Sequence, residues 1–159
     1  NDIALKITEA QKSSISGKLP LLGAYPNWRP SYGIYFPQQV NNPITSNKSF
    51  YYFADLLPSP TPDKRLGSIS SCPGAECISI INMTKGKYIS SIKSYVGATG
   101  TDLNAPLHIT FTRPNSGADF YKDNLEFLGV NYIEITLSAA DNNTAAVIKI
   151  FPSGRVQIY

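Results

Sequence analysis

One histidine, one methionine, one tryptophan and two cysteines are all that 159 residues contain of those four types, and each scarcity closes a class of chemistry. With His108 as the only imidazole, a structural zinc site lacks its four nitrogen or sulfur ligands. No Gly-x-Ser-x-Gly and no convincing Cys-His-Asn set accompanies it, so the nucleophilic hydrolases lose their signature. His108 alternates with Leu107 and Ile109, which places it on the opposite face of a strand in a structural or solvent-facing role. Charge is scarce too: 16% of residues are charged, and the net +3 is the balance of 14 Lys plus Arg against 11 Asp plus Glu. The basic residues are scattered from Lys6 to Arg155 without a run, which weakens the electrostatic case for nucleic acid. The chain also lacks a secretory leader and any apolar run of the ~18 residues that a membrane-spanning helix needs.

What is abundant is tyrosine, ten residues of it, in a background of Ser, Thr and Asn. The length suits one domain able to bury about two thirds of its unfolded surface, so no disulfide scaffold is required. Cys72 and Cys77 are nevertheless close in sequence, with the turn residues Pro73 and Gly74 between them, and this arrangement reaches disulfide geometry easily. Such a bridge closes a small loop worth about 2 kcal/mol and implies folding outside the cytoplasm.

The first seventeen residues read as a helix stopped by Gly17 and Pro20, with Asn1 or Asp2 as its cap. Ile3, Ala4, Ile7, Ala10, Ser14 and Ile15 share one broad side, Lys6, Glu9, Lys12 and Ser13 the other, and Leu5 points away from the apolar side. A helix of this length is marginal alone, so it is expected to dock or to be the lower part of a longer one. A Pro- and Gly-rich loop follows, and then strand patterns at 31–36, 49–56, 77–81, 86–97, 107–112, 131–139, 145–151 and 154–159. Pro58, Pro60 and Pro62 make the segment between the second and third of these a surface excursion. The segment 113–129 reads as a long connection with room for a helical turn, and the last three strands as an antiparallel meander. The expected class is α+β, mostly β: residues 1–17 as an amphipathic helix packed on one sheet of an antiparallel, two-sheet domain at 18–159.

Other polar groupings have ordinary explanations. Asp102 with Asn104, and Asp141 to Asn143, carry the oxygens calcium uses, but turn chemistry accounts for both. Asp119 and Asp123 could pair as acid and base only if the fold brought them together. Asn47-Lys48-Ser49, Asn82-Met83-Thr84 and Asn142-Asn143-Thr144 match the glycosylation acceptor pattern, which matters only in a glycosylating host. Tyr25, Trp28, Tyr32, Tyr35 and Phe36 form an aromatic cluster that either stacks on a ligand or closes the junction between helix and sheet.

The run ALKITEAQKSSISGKLP, the strands YGIYF and SFYYFADL, and the closing ITLSAADNNTAAVIKIFPSGRVQIY together resemble the soluble part of type IV pilin-like proteins, in particular the minor pilins and pseudopilins of the GspH/FimT type. The resemblance implies a pilin-like fold whose apolar N-terminal helix is absent from this chain. It implies a structural subunit of a pilus or pilus-like filament, anchored in the inner membrane before assembly and displayed on the bacterial cell surface afterwards. Expected partners are other pilin subunits, the assembly machinery and the membrane through the missing helix, with a host surface or DNA as further contacts. No enzyme activity, cofactor, metal or small-molecule substrate is implied. Ile3, Leu5, Ile7 and Ala10 would form the helix interface, with Leu5 free for neighbouring subunits, and Tyr25, Trp28 and Tyr32 a ligand surface. The alternative reading is a secreted carbohydrate-binding or adhesin β-sandwich.

Overall fold

The computed structural model describes residues 2–18, 29–37, 47–56, 63–67, 72–74, 76–123, 125–141 and 143–159. The proposed cap Asn1, the helix stop Pro20, Tyr25, Trp28, the three prolines at 58, 60 and 62, and Asn142 lie outside the described residues.

Helix α1 spans Asp2–Ser16, and its end is written in the chain: Gly17 adopts φ +62°. Its N–H donates to the Ser14 carbonyl and that of Lys18 to the Ser13 carbonyl, both at 3.0 Å, the Schellman pair of bonds that a left-handed glycine permits. Strands β1 (Tyr32–Phe36), β2 (Ser49–Ala54) and β3 (Cys77–Asn82) run as a meander in one sheet. The chain then crosses to the second sheet for β4 (Tyr88–Val96) and β5 (Thr99–Asp102). It returns for β6 (Leu107–Phe111), β7 (Ala118–Lys122) and β8 (Leu125–Glu126), and crosses again for β9 (Tyr132–Ser138), β10 (Thr144–Ile150) and β11 (Val156–Ile158). The sheet orders are β3-β2-β1-β6-β7-β8 and β11-β10-β9-β4-β5, with every pairing antiparallel.

The two sheets face each other across one core. The first contributes Tyr32, Ile34, Phe36, Phe50, Tyr52, Ile109, Phe111 and Phe120; the second is lined with isoleucine and leucine, Ile89, Ile92, Ile133, Ile135, Leu137, Ile148 and Ile150. Alternation is clean in β9 because only one of its faces is buried, and blurred in β1 and β2 because both of theirs are. Phe53 points away from the main core into a second cluster with Leu66 and Cys77, flanked by Tyr35, Tyr51 and Cys72.

Four expectations are corrected. The α+β class with a helix laid on one sheet in pilin-like fashion is not what is found: among the described residues eleven strands stand against one short helix, and α1 touches β1 and β6 of one sheet and β11 of the other. Ile3, Ile7 and Ala10 enter the same core as both sheets, so the helix completes the sandwich interior and does not form a layer of its own. Among its described residues the segment 113–129 holds β7 and β8 and no helical turn, and β5 lies where a loop was expected. All four residues of β5 are exposed and β8 has only two, so pairing with a neighbour, not an apolar pattern, makes them strands. On the helix, Ile15 is 47% exposed, whereas Ser13 is buried. The buried stripe is centred on Ile3, Ile7, Ala10 and Ser14; Ser13 falls just inside its edge, where the Tyr52 hydroxyl donates to its Oγ at 3.1 Å, and Ile15 just outside.

Candidate functional surfaces

The helix presents two unlike faces. Ile3, Ile7 and Ala10 are at most 1% exposed and pack within the domain, while Leu5, on the far side, is 66% exposed. Of the four residues expected at a helix interface, only Leu5 is therefore open to a second molecule; the other three are consumed by the fold. Lys6 ties the outer face together, pairing with Glu9 at 2.7 Å and lying over the Tyr52 ring at 5.4 Å. Burial pushes the Tyr52 hydroxyl up to about 12, and its bond to Ser13 acts in the opposite sense.

Tyr32, expected on a ligand surface, is 1% exposed. Its ring stacks on Tyr52 at 6.0 Å and its hydroxyl donates to the Lys18 carbonyl at 2.9 Å, so it seats the helix end on the sheet and offers nothing to a ligand.

On the outer side of the first sheet, the described parts of the chain between β2 and β3 form a strap. Cys72 and Cys77 are joined as a disulfide, as the sequence spacing suggested. The intervening turn is closed by paired bonds between Gly74 and Cys77, each 2.9 Å. Lys64 anchors the other half. Its carbonyl accepts from Thr110 Oγ1 at 2.7 Å, its N–H donates to Asp55 Oδ2 at 3.0 Å, and its ammonium meets Asp119 at 2.9 Å. The Gly67 N–H donates to Glu76 Oε2 at 2.7 Å. Burial raises the carboxyls of Asp55 and Glu76 above the usual range, and the backbone N–H groups they accept from partly offset this.

His108 sits in the middle of that outer face at 5% exposure, its ring 4.5 Å from Tyr35 and 5.9 Å from Phe53. Burial, and secondarily the Arg65 guanidinium, push its imidazole down to about 4. It is on the face opposite Leu107 and Ile109 as the alternation indicated, but covered, with the Leu66 backbone and Arg65 of the strap beside it. The chain in between is too long and too polar for its path to be read from sequence.

Chemistry-bearing groups stay apart. Among the described residues, no group of three His, Cys, Asp or Glu side chains could hold a metal ion. Asp141 accepts from the N–H and the side-chain amide of Asn143 at 3.2 and 2.7 Å, and these bonds hold its carboxyl below the usual range; this is turn chemistry. Asp119 is committed to Lys64, away from any pairing with Asp123. What sequence reasoning missed is the strap, with Lys64 as its pin and Asp55 as its buried acceptor. The one available signal was an Asp directly after an aromatic strand, which is too common to be diagnostic.

No family model, no curated protein and no solved structure matches the chain.

Proposed function

We propose that this domain is a non-catalytic structural subunit of an extracellular filament of the type IV pilus kind, a minor pilin or pseudopilin. The observation that carries the reading is the division of labour on α1: one side is absorbed into the core, and the opposite side carries Leu5, a large apolar residue that the domain itself leaves uncovered. A helix built in this way docks its own domain and retains a surface for neighbouring subunits. The disulfide supports an extracytoplasmic setting. In this reading the partners are other subunits, the assembly machinery and, through an apolar segment upstream of α1, the inner membrane. Assembly, and through it surface adhesion, motility or DNA uptake, is the activity.

The test is the N-terminal residue and intact mass of the protein isolated from its native cell envelope. A mature chain extended upstream by about 20 or more mainly apolar residues, enough to cross a bilayer, with a methylated first residue, is the expected result. A native chain starting near Asn1 overturns the reading and leaves the secreted adhesin sandwich in its place.

A further inference from the structure

At the pole of the sandwich where α1 ends, the turn after β6, strands β7 and β8 and the β10–β11 turn enclose a cleft of about 800 Å³. That volume is in the range of small-ligand sites, roughly 300–1,000 Å³. The walls are held from several directions. The Ala118 N–H donates to the Pro152 carbonyl at 2.8 Å, joining the two turns, and Gln11 of the helix donates to the Ser116 carbonyl at 2.7 Å. On the other side, the Phe127 N–H donates to the Phe120 carbonyl at 2.7 Å. The main chain of these walls is therefore fixed before any ligand arrives, while the side chains of Asn115, Glu126 and Ser153 project from it into solvent.

The lining has a definite chemistry. Asn115 and Ser153 come from the two turns, Glu126 from β8 and Asp119 from β7, with Lys64 and Arg113 completing the charged set. Two cations and two carboxylates are among the lining residues, and Lys64 and Asp119 neutralise each other at 2.9 Å, so the lining carries no net charge with which to select an ion. Phe127 and Leu128 supply an apolar side, and Leu128 is 75% exposed at the rim. The main chain of β7 is engaged by β6, by β8 and, at Ala118, by the Pro152 carbonyl, so β7 itself is not open to pairing with an extended peptide. A ligand suited to this lining is uncharged, rich in hydroxyls and apolar on one face.

We propose that this cleft binds a neutral oligosaccharide, its hydroxyls bonded by Asn115, Ser153 and Glu126 and its C–H face against Phe127 and Leu128. The proposal goes beyond the filament reading and does not depend on it.

The experiment presents the 159-residue chain to an array of neutral and sialylated oligosaccharides, followed by calorimetric titration of the best binder. Asn115→Ala and Glu126→Ala serve as variants, both at exposed positions and outside the core. Neutral glycans are expected to bind, each substitution weakening binding about tenfold, the loss of one hydrogen bond to a polar or charged group, with the thermal midpoint unchanged. No neutral glycan bound at millimolar concentration, a preference for sialylated glycans, or binding indifferent to both substitutions overturns the proposal. Selection of peptides by the same residues from a displayed peptide library does so as well. A cleft that binds no glycan leaves the filament reading intact, and a native chain starting near Asn1 leaves the cleft intact.

Discussion

Gly154 is where single atoms decide most. It adopts φ +81°, and a Cβ placed there would collide with the Ser116 carbonyl oxygen and with Gln11 Nε2. Both the backbone conformation and the space are closed to a side chain, so Gly154→Ala is expected to cost about 1–3 kcal/mol, read as a lower urea midpoint with an unchanged slope. His108 gives the second residue-scale expectation. Its imidazole is held down at about 4 in the folded protein against an ordinary value of 6.5. As pH falls below 6.5 the unfolded chain takes up a proton that the folded one refuses, so stability is lost between about 6.5 and 4 and levels off below. The difference of about 2.5 pH units corresponds to about 3 kcal/mol. His108→Gln removes this loss. The raised carboxyls of Asp55 and Glu76 work in the other sense: the folded state holds their protons more tightly, so their contribution is favourable at low pH and fades as pH rises through their folded values. The comparison between wild type and His108→Gln cancels them. Urea titrations at pH 7 and 4.5 check it, and parallel curves for the two proteins would show that His108 is not the group that titrates.

At the scale of elements, the strap and the helix behave as separate experiments. The strap is closed by a short disulfide loop and pinned by Lys64, so replacing both cysteines with serine is expected to cost about 2 kcal/mol. Its signature is local: the amides of Lys64 and Gly67, which donate to Asp55 and Glu76, exchange faster with solvent, while those of β9 and β10 keep their protection. On the helix, Ile7 is fully buried and Leu5 mostly exposed. Ile7→Ala should therefore lose about 2–5 kcal/mol through the cavity it leaves. Leu5→Glu should change stability by no more than about 0.5 kcal/mol; under the proposed filament role it also abolishes incorporation into filaments, scored by electron microscopy of assembling cells. Equal effects of the two substitutions on stability would show that the faces of α1 are not divided as described.

The whole molecule is expected to unfold as one unit, because a single core holds α1 and both sheets. Far-ultraviolet circular dichroism, which follows the strands, and tyrosine signals in the near ultraviolet, which follow aromatics on both sheets, should give coincident urea transitions. A separate early transition in the tyrosine signal would identify the outer cluster around Phe53 and Leu66 as an independent unit. The same scale explains what the sequence alone could reveal. Helix α1 with its stop at Gly17, the one-faced strand β9, the meander β9–β10–β11 and the Cys72–Cys77 bridge were all legible, because each is local: a period, a turn residue, or two cysteines a few residues apart. Strands β5 and β8 were not legible, since their identity lies in their hydrogen-bonded neighbours, and β7, although Ala118 and Phe120 alternate in it, is short and set in a polar stretch that reads as a connection. Nor could the sequence show that Tyr32 faces inward beneath the helix end, that His108 lies under a strap, or that two turns 36 residues apart, Ser116 and Pro152, meet at the mouth of a cleft. Short-range patterns determine which segments become helix, strand or turn; contacts between residues far apart in the chain, which carry no signature in any one segment, decide which faces remain for solvent and for partners.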